Sequence, residues 1–221
     1  MHAVYKPVGI TSFSVVHKIR KATQVKRVGH GGTLDPFAEG VLPIGIGRAA
    51  TRQLGQFLKG DKEYLANVQL GVETDTYDLT GQVVHQVSGF EYDREDIERV
   101  IAGYRGEIEQ TPPAFSAIKL QGRRAYNMAR KGQKFELKPR QIKIHELELL
   151  DVSNDGFQMR VVCSHGTYIR SIAHDIGGEL GCGAHLSGLV RTRVGEMLLE
   201  DCLQIESFEG QPSCNPSLQQ K

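Results

Sequence analysis

The sequence predicts an α+β fold, with a mixed, mainly antiparallel sheet and flanking helices. Three observations predict it. Tyr64, Ala66, Val68 and Leu70 alternate with Leu65, Asn67 and Gln69, the period of a half-buried strand. Residues 141–152 and 157–163 form two longer strand-like runs joined by Asn154-Asp155-Gly156, a hairpin turn that makes its strands antiparallel. Helical and strand patterns then mix along the chain without strict β-α-β alternation, which argues against a doubly wound parallel sheet.

Taken in order, Thr11 and Ser12 can cap a helix with Val15, Val16 and Ile19 inward and Lys18, Arg20 and Lys21 outward. Residues 29–47 form a glycine-rich stretch that contains Val41-Leu42-Pro43-Ile44-Gly45-Ile46, with no element assigned to it. A short helix is expected over residues 49–58, a strand over 64–70, a turn over 74–81 and a strand over 82–87. Asp93 and Asp96 can start a helix bearing Ile97, Val100, Ile101 and Tyr104. After Pro112-Pro113, a short strand is expected at 115–119 and a small helix through Tyr126 and Met128 that stops near Gly132. Residues 167–180 read as a helix with Ile169, Ile172, Ala173 and Ile176 on one side. One domain is expected over residues 1–210. The polar residues 211–221 with two prolines are expected to form a disordered tail.

The 221 residues suffice for a sizeable core, and 27 Lys and Arg balance 26 Asp and Glu. The charges are segregated: residues 119–143 carry nine basic residues and one acid, whereas residues 91–109 carry seven acids and three bases. A basic segment of this kind is either a solvated face or a seat for a phosphate backbone. The four cysteines include no C-x-x-C pair, so neither a zinc ribbon nor a dense disulfide framework is expected. No apolar run reaches membrane-spanning length and the start of the chain lacks a signal-peptide core, so the cytoplasm is the expected compartment. Phosphate-loop, dinucleotide, H-E-x-x-H and G-x-S-x-G spacings are absent.

Two places could carry chemistry. In Gly29-His30-Gly31-Gly32-Thr33-Leu34-Asp35-Pro36 the glycines let backbone approach a ligand, and Asp35 reads as nucleophile, general base or turn former. In residues 164–170, Ser-His-Gly-Thr-Tyr-Ile-Arg, a strand gives way to a helix. Arg170 there reads as surface charge, anion clamp or partner of a buried carboxylate.

Both places lie within a longer ordered set. Its other members are residues 6–12 (KPVGITS), Lys62-Glu63-Tyr64, Leu70-Gly71 with Thr74-Asp75-Thr76 and Asp78, Pro112-Pro113 with Ser116-Ala117-Ile118-Lys119 and Gly122, and residues 181–185 (GCGAH). Together they resemble the TruB family of pseudouridine synthases, which isomerise uridine 55 in the T-loop of tRNA. The resemblance implies the pseudouridine synthase catalytic fold, with Asp35 as catalytic aspartate, Tyr64 as the tyrosine stacking on the target base, and Arg170 as the arginine paired with the aspartate. It implies substrate contacts from His30, Arg52, Tyr168, Leu189 and Lys6. It implies no cofactor and no metal, because the isomerisation conserves atoms and oxidation state. The T-arm of tRNA is the implied partner, with no membrane, no guide RNA and a monomeric enzyme. Two departures stand out. The chain reads as a short form without the family's C-terminal RNA-binding domain, and His165 stands where the family often has lysine. A synthase for another RNA, or a tRNA-binding folding chaperone, are the competing readings.

Overall fold

The computed structural model describes residues 1–120 and 122–209; the expected tail lies outside them. In chain order the elements are β1 (His2–Lys6), α1 (Ser12–Thr23), β2 (Val28–His30), β3 (Glu39–Ile46), α2 (Gly47–Lys59), β4 (Lys62–Leu70), β5 (Val72–Thr74) and β6 (Val83–Gln86). There follow α3 (Arg94–Ala102), β7 (Gly106–Gln110), β8 (Lys119–Leu120), β9 (Arg123–Arg124), α4 (Ala125–Ala129), β10 (Arg140–Ser153), β11 (Gly156–Cys163), α5 (Ile169–Glu179), β12 (Ala184–Val194) and β13 (Met197–Leu198), and then a 3-10 helix (Ile205–Phe208). No helix among the described residues is long and apolar enough to cross a membrane.

The described residues divide into two compact units, the first made of residues 1–62 and 190–209, the second of residues 63–189. In the first, β3 is central: β1 pairs with it antiparallel, β2 pairs with it antiparallel through residues 44–46, and the end of β12 pairs with it in parallel at Glu39 and Gly40. Helix α1 is capped by Thr11, whose hydroxyl accepts the Ser14 amide. It lays Val15, Val16 and Ile19 against Val4, Leu42 and Ile44, and Ile205 and Phe208 close the same core. Such burial is the main source of stability here, at about 25 cal/mol per Å² of apolar surface.

Strand β3 is assigned no element from sequence, because Gly40, Pro43 and Gly45 are poor strand residues. Gly40 and Pro43 each answer to a neighbour elsewhere in the chain. At Gly40 φ is +107°, and a Cβ there would stand 2.2 Å from the Arg191 carbonyl oxygen, so only glycine admits β12 at this distance. Pro43 has no N–H to lose, and its carbonyl accepts the Gly31 amide at 2.8 Å.

In the second unit the strand order is β12, β4, β11, β10, β7, with β10 antiparallel to both neighbours. Helix α3 starts with a capping box between Asp93 and Asp96 and packs on β10 and α5. The short strand expected at 115–119 does not form; only Lys119 and Leu120 pair, with β9. The carbonyls of Ser116 and Ile118 instead accept the amides of Tyr126 and Ala125 in a local turn, which takes both from a ladder.

Candidate active site

In the first unit the loop bearing Asp35 is fastened from three sides. The Ser12 hydroxyl, buried at the start of α1, donates to the Leu34 carbonyl at 3.0 Å and accepts the Leu34 amide at 2.9 Å. Lys6, the last residue of β1, is fully buried, and its ammonium donates to the carbonyls of Ala38 at 2.6 Å, Pro7 at 2.8 Å and Pro36 at 3.5 Å. Arg191, buried on β12, donates to the carbonyls of Val41 at 2.8 Å, Gly32 at 3.1 Å and Thr33 at 3.4 Å. Two buried cations thus hold the backbone on both sides of Asp35, whose own side chain remains half-buried.

Burial brings the Lys6 ammonium down to about 8, and the negative charges of Asp35 and Glu39 oppose that fall. The attraction is mutual, so the same cation favours a carboxylate on Asp35. His30 is half-buried on β2. Burial first, and the Arg191 charge second, hold its imidazole below the ordinary histidine value, and it is neutral at pH 7. Its buried Nδ1 has no hydrogen-bond partner among the described residues. Arg52 projects from the exposed face of α2.

In the second unit the first turn of α5 is pinned to the end of β7. The Gln110 side chain takes the Tyr168 amide at 2.8 Å and donates to the Tyr168 carbonyl at 3.0 Å, and Ser171 donates to the Thr111 carbonyl at 2.9 Å. Arg170 is thereby set in a buried position. Its guanidinium donates to the carbonyls of Thr76 at 2.8 Å and Phe115 at 3.0 Å and lies 3.4 Å from the Asp78 carboxylate. Asp78 is equally buried and also accepts from Thr76, the Thr80 amide and the Thr80 hydroxyl. A buried carboxylate so fully bonded is fixed in place and aims the guanidinium. Tyr64 is buried on β4 and Leu189 on β12, each 8 % exposed.

The family resemblance pairs Arg170 with Asp35 and gives no role to Asp78, which stands just after Thr74-Asp75-Thr76 and is the carboxylate that the guanidinium meets within this unit. Arg191 was missed altogether; the signal was the alternation of Val190, Thr192 and Val194 with Arg191 and Arg193, which marks a strand. Lys6 was assigned to substrate contact, whereas its buried ammonium is committed to three carbonyls of this loop region.

Four of the basic residues of the 119–143 segment line a groove in the same unit. A cavity of about 880 Å³ is bordered by Lys119, Arg123, Arg124, Tyr126 and Lys131. The guanidinium carbons of Arg124 and Arg130 lie 5.9 and 5.8 Å from the centre of the Tyr126 ring.

A family model described as TruB family pseudouridylate synthase (N terminal domain) matches residues 20–169. The chain belongs to the TruB family. A second model, described as tRNA pseudouridylate synthase B C-terminal domain, matches residues 170–213, so a family C-terminal module is matched within the stretch that begins with α5. Among TruB relatives, the tRNA pseudouridine synthase B of Protochlamydia amoebophila (strain UWE25) is 52% identical over 200 residues, covering 90% of this chain and 76% of that protein. That of Clostridioides difficile (strain 630) is 45% identical, covering 94% and 69%. That of Phocaeicola vulgatus is 48% identical, covering 92% and 88%. Two solved structures share the fold. One is titled "Crystal Structure of a Cbf5-Nop10-Gar1 Complex", with TM-score 0.70 and 33% identity over 92% of this chain and 51% of that one. The other is titled "Structure of H/ACA RNP bound to a substrate RNA containing 2'-deoxyuridine", with TM-score 0.69 and 30% identity over 93% and 50%. The chain spans about half the length of those two chains. The expected α+β pseudouridine synthase fold is borne out by these matches.

Proposed function

We propose that this protein isomerises uridine to pseudouridine at position 55 in the T-loop of tRNA, using the Asp35 carboxylate and neither cofactor nor guide RNA. The observation that carries the reading is the loop of Asp35, held at Leu34, Pro36 and Ala38 by Ser12 and Lys6 while the acidic side chain is left half-buried. Fixing a backbone so heavily around one reactive group is preorganisation, which lowers the cost of reaching a reactive geometry. The names of the relatives, tRNA pseudouridine synthase B, supply the substrate class.

The reaction breaks the N1–C1′ bond, turns the uracil and joins C5 to C1′; the C5 proton leaves and N1 gains one. The target base must first leave its stack, at a cost of a few kcal/mol. The Tyr64 ring recovers about 1–3 kcal/mol of that by stacking on the base. The Asp35 carboxylate acts at the ribose, by attack on C1′ or by removal of a sugar proton. By family resemblance Arg170 is the partner of that carboxylate, and the Tyr64 hydroxyl joins the proton relay at C5. His30, Arg52, Tyr168 and Leu189 are assigned to the RNA, and the groove around Tyr126 offers phosphates a basic wall with an aromatic face. Lys6 acts as a positioning residue for the Asp35 loop.

The test is single-turnover conversion of a uridine-labelled T-arm transcript by purified protein alone, with Asp35→Asn as the comparison. Wild type should convert uridine 55 without added RNA. The variant should lose about a thousandfold or more in rate and keep RNA affinity within a few-fold. Substantial conversion by Asp35→Asn would remove the aspartate from the central role. Product at another uridine, or a requirement for added guide RNA, would sink the substrate assignment.

A further inference from the structure

Residues 1–34 and 40–60 contain no Asp or Glu, yet they carry nine Lys and Arg: Lys6, Lys18, Arg20, Lys21, Lys26, Arg27, Arg48, Arg52 and Lys59. Two of these have structural employment, Lys6 as described and Arg20, which donates to the Val28 carbonyl at 2.6 Å. Lys21 and Lys59 stand in the last turns of α1 and α2, where a cation complements the helix dipole. Fold architecture gives no such reason for Lys18, Lys26, Arg27 and Arg48.

All four are exposed, and none pairs with a carboxylate among the described residues. Arg94, Arg99 and Arg160 of the second unit, by contrast, each meet an Asp or Glu. Three of the four are neighbours. Lys26 and Arg27 connect α1 to β2, and the Arg27 carbonyl accepts the Gly47 amide at 2.7 Å, which brings the loop to Arg48 at the start of α2. Arg48 stands at the positive end of its helix, whose first turn holds no acid, so its placement works against the helix dipole. The 3-10 helix that packs on α1 carries one acid, Glu206.

We infer that Lys26, Arg27 and Arg48, extended by Lys18 on α1, form a second RNA-backbone contact, separate in the sequence from the basic groove of residues 119–143. The occupant is a run of substrate RNA phosphates: two of the three central residues are arginines, whose planar forks take phosphate oxygens two at a time. The contact is electrostatic and blind to sequence, and it supplies affinity and not chemistry. It rests on the proposed RNA substrate.

The experiment is binding and turnover of a full-length tRNA transcript over a range of salt concentrations. Wild type is compared with a triple variant, Lys26→Gln with Arg27→Gln and Arg48→Gln, and with a charge-preserving set, Lys26→Arg with Arg27→Lys and Arg48→Lys. In the glutamine set the slope of log affinity against log salt should fall by about two, since each lost phosphate contact removes roughly 0.7–0.9. KM should rise about tenfold or more while kcat at saturating RNA stays within twofold, and the charge-preserving set should keep most of the wild-type slope. An unchanged slope and KM in the glutamine set would overturn the inference. So would equal losses in both sets, which would mean that packing was disturbed. A defect confined to binding of phosphatidylserine vesicles, with RNA binding intact, would overturn it in favour of a membrane surface. Binding is read independently of product: a wild type with this salt dependence that forms no pseudouridine supports the surface and sinks the proposed activity.

Discussion

Lys6 is the residue whose titration reaches the site most directly. Its folded value of about 8 lies below the unfolded one near 10.5, so between those values the unfolded chain binds a proton that the folded chain does not. Its contribution to stability therefore rises with pH across that window, is complete above 10.5 and is lost as pH falls through 8. Activity should run the other way. Once the ammonium loses its proton, the carbonyls of Pro7, Pro36 and Ala38 lose a charged donor and the Asp35 loop is held less firmly. We expect single-turnover rates to show an alkaline limb with a midpoint near 8, while urea midpoints over the same range show no loss attributable to Lys6. A flat rate profile to pH 9.5 would mean that its proton is not needed. Asp35→Asn removes the largest interaction keeping Lys6 charged, so the Lys6 Nζ titration followed by NMR should move further down in that variant. Tyr64→Phe separates the two roles proposed for that ring: base binding should persist and turnover should fall, and normal turnover would leave stacking as its whole contribution.

At the level of elements, the close meeting of β3 and β12 is the most exposed to substitution. Gly40→Ala would need a positive φ and would place a methyl group 2.2 Å from a backbone oxygen, so urea unfolding should show a loss of about 3 kcal/mol or more. The loop from Thr74 to Thr80 offers a second test. Arg170→Lys keeps the charge but cannot serve the Thr76 and Phe115 carbonyls and the Asp78 carboxylate in the same geometry. It should cost about 1–3 kcal/mol of stability and reduce turnover sharply, whereas a wild-type rate would show that the fork is dispensable. These two places also show where reading from sequence stops. Helices α1, α3 and α5 were legible because their apolar residues recur at helical spacing, and the β10–β11 hairpin because of its turn. Strand β3 was not, since its glycines and proline answer to neighbours far along the chain. Asp78 was hidden for the same reason: within its own segment an aspartate is an ordinary turn residue, and its partner lies 92 positions on, at Arg170. The family's ordered segments single out Asp35, Tyr64 and Arg170 as candidates, whereas nothing in the sequence marks Lys6 and Arg191 as the buried cations that hold the Asp35 loop.

For the whole molecule, a formal net charge of +1 conceals two basic stretches, one in each unit. Affinity for RNA should therefore fall steeply with salt despite near neutrality. Neutralising Lys131 and Lys134, two exposed members of the 119–143 segment, should lower the salt slope by about 1.5, and an untouched slope would place the main phosphate contacts elsewhere. The order in which the units are written along the chain has a further effect. The first unit is assembled from two distant pieces, residues 1–62 and those from 190 onward, with the second unit inserted between them. On a ribosome, residues 63–189 emerge as an uninterrupted stretch and can collapse early. The opening 62 residues must wait for Arg191 to reach the carbonyls of Gly32, Thr33 and Val41, and for Leu203 to pair beside Val4. A released chain truncated after residue 189 should thus give a protease-resistant fragment from the inserted stretch, while its first 62 residues stay cleavable. The loop that carries Asp35 is among the last parts to set, so translation itself delays the enzyme's competence until it is nearly done.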